Sequence, residues 1–235
     1  MTLPRWDAMG CMRPERIRQL ASDLYRDGPP FVRFLQRNRD RICPLDVLLE
    51  TVPPASSVLD VGCGAGLFVM LLAATGRASS AVGVDTNEKA LAAARQAARR
   101  LGTAAGAAPG AFAFRTVRSS AGWPGGPFDV VSLIDVMHHV PPEERRAFLS
   151  AASRRVRPGG LLVYKDVCSA PAWRAWANRL HDLVLARQWV HEAPLADIEA
   201  WAAATGLVVR QRRRYARLIY GHELVVFRKP ADKKT

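Results

Sequence analysis

The sequence predicts a doubly wound α/β fold, with a mostly parallel seven-stranded sheet, a C-terminal antiparallel hairpin and an N-terminal helical preface. Three observations predict it. From Ser57 onward, short apolar runs alternate with helical patterns, the order that builds parallel βαβ units. The first of these runs leads into a glycine-rich loop, Asp60-Val61-Gly62-Cys63-Gly64-Ala65-Gly66, ahead of an apolar helix. The last two β-rich runs, Leu207 to Tyr215 and Glu223 to Phe227, are joined by a short turn region and can pair antiparallel.

Residues 1–52 read as the preface, helical from Arg13 to Val52 in pieces broken at Gly28-Pro29-Pro30 and at Pro44. Residues 53–230 read as the main domain and 231–235 as a frayed tail. Ser57 to Val61 is a buried strand, and Leu67 to Thr75 a covered helix ended by Gly76. Ala81 to Val84 is a second strand with Asp85 at its end, and Glu88 to Leu101 a helix whose inner face carries Leu91, Ala94, Ala98 and Leu101. A Gly/Ala/Pro-rich loop from Gly102 to Gly110 precedes strands at Phe112 to Val117 and Asp129 to Ile134. Pro141 and Pro142 open the next helix, Phe148, Ala152 and Val156 form its inner stripe, and Pro158-Gly159-Gly160 stop it. Leu161 to Tyr164 is a fifth strand, about 171–190 a helical insert near an acceptor pocket, and Ile198 to Thr205 the last helix.

Of 235 residues 49% are apolar, ample for a sizeable core. The four cysteines form no C-x-x-C pair and read as reduced thiols, neither zinc ligands nor a disulfide framework. No apolar run reaches bilayer length and no signal-peptide pattern is visible, so the expected location is cytoplasmic, with no membrane span. The net charge of +13 suits nucleic acid, anionic lipid or an acidic protein, and charge alone does not choose. Arg95, Arg99, Arg100, Arg145, Arg146, Arg154 and Arg155 read as solvated outer faces of helices, and Arg210 to Arg217 is the densest basic cluster.

The glycine loop narrows the ligand. Its spacing, Gly62-x-Gly64-x-Gly66 followed by Leu67, lacks the third glycine of the dinucleotide fingerprint. Asp60 would repel a pyrophosphate but suits an ammonium group. Asp85, 23 residues beyond Gly62, stands where a carboxylate accepts hydrogen bonds from both ribose hydroxyls of an adenosyl group, a feature that a nicotinamide enzyme shares.

Four segments in this order, Val58-Leu59-Asp60-Val61-Gly62-Cys63-Gly64-Ala65-Gly66, Val82-Gly83-Val84-Asp85, Phe128-Asp129-Val130-Val131 and Arg157-Pro158-Gly159-Gly160, resemble the motif series of class I S-adenosylmethionine-dependent methyltransferases over residues 55–168. The resemblance implies S-adenosylmethionine as methyl donor and S-adenosylhomocysteine as product. It implies that Gly62, Cys63, Gly64 and Gly66 line the cofactor, that Asp60 serves its amine side and Asp85 its ribose, and that Thr86 and Asn87 flank the adenine. Ser119 falls where the family contacts the adenine amine, although the usual acidic residue is absent and Arg118 stands beside it. Asp135 completes the expected cofactor set.

Asp135 to Val140 reads Asp-Val-Met-His-His-Val at the carboxyl end of the fourth strand, where open α/β sheets bind ligands. Methyl transfer to a hydroxyl needs alignment, exclusion of water and removal of a proton, and histidine titrates in the right range. His139 is the favoured base, with His138 the alternative and Asp166 on the same rim to orient an acceptor; a packing role for either histidine competes with catalysis. No third ligand accompanies Asp135 and Asp166, so no metal is expected. His181, His191 and His222 read as structural, while Trp173, Trp176, Trp189, Tyr220 and Phe34 either wall an acceptor pocket or pack the core.

The expected partner is a small-molecule acceptor, methylated on a hydroxyl of an aromatic, polyketide-like or polyene intermediate. The alternatives are an RNA or protein methyltransferase using the basic surface, with nucleic acid not favoured for want of an Asn-Pro-Pro-Tyr type signature, and a non-methylating member that keeps the fold. A nicotinamide oxidoreductase would want glycine where Leu67 stands. Monomer and homodimer both remain open.

Overall fold

In a computed structural model of the chain, residues 12–105, 111–167, 193–217 and 220–231 are described. The expectations for Cys11, Cys168, the insert at about 171–190, Trp173, Trp176, His181, Trp189 and His191 lie outside the described residues, as does the end of the tail. The chain divides into two compact units, Met1–Pro124 and Gly125–Thr235.

In the first unit the described part of the preface holds four helices, α1 (Pro14–Leu24), α2 (Pro30–Arg37), α3 (Arg39–Ile42) and α4 (Leu45–Thr51), with breaks at the expected Gly28-Pro29-Pro30 and Pro44 and a further one at Asn38. Proline opens both α1 and α2, where a missing N–H removes no helical hydrogen bond. Ile17, Leu20, Ala21 and Leu24 bury one face of α1, whereas no residue of α2 is buried. There follow β1 (Ser56–Val61), α5 (Leu67–Ala74), β2 (Ala78–Asp85), α6 (Glu88–Ala105) and β3 (Phe112–Thr116). β1 and β3 both run parallel to β2. All but one residue of α5 is buried, as befits a helix that is apolar all round.

Three expectations are corrected here. α6 continues through Gly102 to Ala105, because Thr103-Ala104-Ala105 is a fair helical sequence and a single glycine only weakens a helix. Ala97, not Ala98, completes the buried stripe of Leu91, Ala94 and Leu101. Arg95 and Arg100 are not simply solvated. Arg95 bonds the Phe114 carbonyl at 3.2 Å and Glu88 at 2.5 Å, while Arg100 bonds the Asp23 carbonyl at 3.0 Å and pairs with Asp27.

The second unit holds β4 (Phe128–Ile134), α7 (Arg145–Arg154), β5 (Val156–Val167), α8 (Leu195–Ala204), β6 (Val208–Arg217) and β7 (Tyr220–Arg228). β4 and β5 are parallel, and β7 pairs antiparallel with both β5 and β6. Pro158-Gly159-Gly160 is not a helix stop but part of β5. The register passes from Phe128 opposite Val156 to Val130 opposite Leu161, so these residues form a bulge within the ladder. Gly160 is required there, since a Cβ would lie 2.8 Å from the Asp129 carbonyl oxygen. Pro142 opens a short 3-10 turn, Pro142–Glu144, and α7 begins after it. The inner stripe of α7 uses Leu149, which is fully buried, rather than the half-buried Phe148. Arg145 is buried, not solvated, and its Nε donates to the Val140 carbonyl at 3.0 Å. The seven strands make one mixed sheet in the order β3-β2-β1-β4-β5-β7-β6.

Candidate functional site

Two groups of predicted residues gather at strand ends, one in each unit. In the first, the loop after β1 is stitched to β2 by the amides of Gly62 and Cys63, which donate to the Val84 carbonyl at 2.8 and 3.1 Å. Gly62, Gly64 and Gly66 take φ values of 75°, 54° and 78°, a left-handed backbone that glycine adopts at little cost. They serve different ends. A Cβ on Gly66 would lie 2.6 Å from the Phe114 ring and 2.9 Å from Ala94, so this glycine lets α6 and β3 close onto the loop. A Cβ on Gly64 would meet nothing within 4 Å, which leaves the loop's backbone open at that point.

Asp85 joins the loop to the end of β2. One carboxylate oxygen accepts the Gly64 amide at 2.7 Å and the other the Asn87 amide at 2.8 Å. An ionised carboxylate has about four acceptor positions, so capacity remains for two hydroxyls. Asn87 in turn caps α6, accepting the amides of Lys89 and Ala90 at 3.1 and 3.2 Å. Thr86, Asn87 and Ser119 are exposed, whereas Asp60 is buried. Cys63 is half-buried, and burial, then the charges of Asp60 and Asp85, push its thiol pKa far up, so it stays neutral. The reading from sequence missed Tyr25, a buried residue of the α1 end whose hydroxyl donates to the Ala65 carbonyl at 2.6 Å and ties the preface to the loop.

In the second unit Asp135, just after β4, has a φ of 52°, a conformation uncommon outside glycine and most tolerable for Asp and Asn. Two bonds to one residue hold it there. Its amide donates to the Lys165 carbonyl at 2.8 Å, and Lys165 Nζ, fully buried, donates to Asp135 Oδ1 at 2.5 Å. Beside it, His138 is buried and its Nδ1 meets Asp166 Oδ1 at 2.5 Å, while its amide donates to Asp166 Oδ2 at 3.2 Å. The Val167 amide donates to the same carboxylate at 2.8 Å. His139 is exposed, its ring centroid 4.1 Å from that of His138.

Strand register extends this row. Asp166 stands opposite Glu223 of β7, and Glu223 opposite Arg214 of β6, whose Nη2 bonds the Glu223 carboxylate at 2.9 Å. Tyr164, buried on the same face of β5, has its pKa driven well up by burial, then by Asp166 and Glu223, so its phenol stays protonated. His222 is buried in β7, opposite Val167. Phe34, in α2, is 66% exposed and so does not pack the core. Tyr220 lies in β7, and its side chain is outside the described residues. Among the described residues no cluster of three or more His, Cys, Asp or Glu could hold a metal ion, and no helix is long and apolar enough to cross a membrane.

A left-handed glycine loop after the first strand, a carboxylate at the end of the second and seven strands closed by an antiparallel pair define an α/β protein of the Rossmann-like class. A family model described as a methyltransferase domain matches residues 31–212, and the chain belongs to that family, of the class I kind. It is 31% identical over 195 residues to the 2-methyl-6-phytyl-1,4-hydroquinone methyltransferase of Synechocystis sp., covering 80% of this chain and 58% of that protein. It is 30% identical over 172 residues to the ubiquinone biosynthesis O-methyltransferase of Paramagnetospirillum magneticum, covering 73% and 60%. The chain thus spans less than two thirds of the length of these relatives. Among solved structures, magnesium protoporphyrin IX methyltransferase from Synechocystis, with bound SAH, superposes with a TM-score of 0.65 at 20% identity, covering 90% of this chain and 93% of that one. That likeness is one of fold.

Proposed function

We propose that the chain is an S-adenosylmethionine-dependent methyltransferase acting on a small molecule, with an aromatic hydroxyl as the acceptor. The observation that carries the donor assignment is the pairing of Gly64, left-handed and open above its Cα, with Asp85, which holds the Gly64 amide and keeps acceptor capacity for ribose hydroxyls. A cofactor with an adenosyl group fits this loop: Gly62, Cys63, Gly64 and Gly66 would line it, Asp85 would take the ribose, Thr86, Asn87 and Ser119 the adenine side, and Asp60 its amine. When bound, it supplies a methyl group on a sulfonium, electrophilic enough to be taken in one displacement. The two relatives' names, one a hydroquinone methyltransferase and one an O-methyltransferase of ubiquinone biosynthesis, support an aromatic acceptor.

The chain's own part in the chemistry is proton removal. His138 meets an oriented carboxylate: with Nδ1–H donated to Asp166, the basic lone pair lies on Nε2, and Asp166 stabilises the imidazolium formed when Nε2 takes the hydroxyl proton. This transfers the role first expected of His139 to His138, with Asp166 as the group that orients it. The basic-surface alternative loses part of its support because Arg212 and Arg214 of the densest cluster are committed to Glu199 and Glu223.

Calorimetric titration with S-adenosylmethionine tests the donor assignment. Asp85→Ala should weaken binding by roughly thirtyfold, the loss of charged hydrogen bonds worth about 2 kcal/mol. Equal affinity in the variant would defeat the ribose role.

A further inference from the structure

We propose that α2 is a membrane-docking element that seats the protein on the surface of an anionic lipid bilayer. The observation is a pair of apolar side chains that the described fold leaves exposed. No residue of this eight-residue helix is buried, and Phe31 and Phe34, one turn apart, are 56% and 66% exposed, the largest exposed aromatic side chains among the described residues. With Leu35, half-buried, they lie within a narrow arc of the helix. A water-soluble surface tolerates single exposed apolar residues, but two phenylalanines side by side on an otherwise unburied helix mark a contact.

The charge beside them selects the contact. Residues 28–39 contain no carboxylate and three arginines. Of these, Arg33 and Arg37 are exposed on the same outward surface as the phenylalanines, Arg37 one turn from Phe34, and Arg26 and Arg41 on either side are exposed as well. The nearest acids are committed: Asp27 pairs with Arg100 and Arg26, and Asp40 is buried against Arg18. Exposed phenylalanines interleaved with arginines suit a helix lying in the headgroup layer, its rings among the acyl chains and its guanidinium groups on lipid phosphates. A second copy of this chain would have to bury those arginines against a surface of the same +13 charge. Because α2 follows the α1 end, where Tyr25 is bonded to Ala65, docking would act on an element tied to the glycine loop.

The test is co-sedimentation of the full chain with vesicles of phosphatidylcholine alone or mixed with phosphatidylglycerol. Partitioning should be at least tenfold stronger on the anionic vesicles and should fall with salt, at about fivefold per arginine engaged. Phe31→Ser/Phe34→Ser should lose at least tenfold on anionic vesicles with a melting temperature within a few degrees of the parent's, because both side chains are more than half exposed. Arg33→Glu/Arg37→Glu should lose the preference for anionic lipid. As an independent readout, brominated acyl chains should quench the added emission of a Phe34→Trp variant. Equal binding of the parent protein to both vesicle types, or full binding by the double serine variant, would overturn the proposal. So would a dimer in light scattering that the serine variant dissociates while vesicle binding stays absent.

Discussion

The glycine loop and the cluster at the ends of β4 and β5 hold their functional groups by opposite means. The loop works through backbone: three left-handed glycines, two of its amides on one carbonyl, and a single carboxylate, Asp85, accepting a third. The cluster works through buried charge: Lys165 on Asp135 and His138 on Asp166. In the first region geometry is set by which residues have no side chain. In the second it is set by which side chains are paired, and each pair is worth keeping mainly because breaking it strands the other member in a dry interior.

The largest effect that would sharpen this contrast belongs to Lys165. Lys165→Met should cost about 3–4 kcal/mol in denaturant unfolding, since it leaves Asp135 without its buried partner, and adding Asp135→Asn should recover most of that. Additive losses would show that the two do not act as a pair. Next comes the dyad, where His138→Ala should lower turnover about a hundredfold and His139→Ala only a few-fold, with single-turnover kinetics on a quinol or catechol acceptor as the measurement. The reverse order would return the base to His139.

Smaller effects test the loop. Gly66→Ala should destabilise by about 2–3 kcal/mol through overlap with Phe114 and the left-handed φ. Gly64→Ala, strained by its φ alone, should cost about 1 kcal/mol and show its main defect in S-adenosylmethionine affinity. Equal unfolding costs would erase the distinction between a packing glycine and an open one. Smallest of all, Cys63 should react with iodoacetamide at pH 8 far more slowly than a free thiol, because its raised pKa keeps it protonated there; peptide mapping would read it directly.

Among the described residues, sequence alone settled the order of strands and helices from Ser56 to Val167 and from Leu195 to Phe227, the antiparallel closing pair and the glycine loop, since periodicity and glycine spacing are local properties that the chain carries whatever it packs against. It also placed Asp85 at a strand end. It misread Pro158-Gly159-Gly160 as a helix stop, because the same residues that end a helix also make a β-bulge, and only the carbonyl of Asp129 against Gly160 distinguishes them. Which histidine meets a carboxylate was not legible either, as the two are neighbours in sequence and the deciding partner, Asp166, is 28 residues on, brought close by β4 pairing with β5. Lys165 left a trace, a lysine at the end of Leu161-Leu162-Val163-Tyr164, but nothing local gives its partner or the left-handed turn at Asp135. The exposed phenylalanines of α2 were equally hidden, since an apolar residue in a helix reads as core until the fold shows it exposed. Local pattern determines elements; long-range pairing and burial decide which side chains meet, because those depend on the neighbours that only the folded chain supplies.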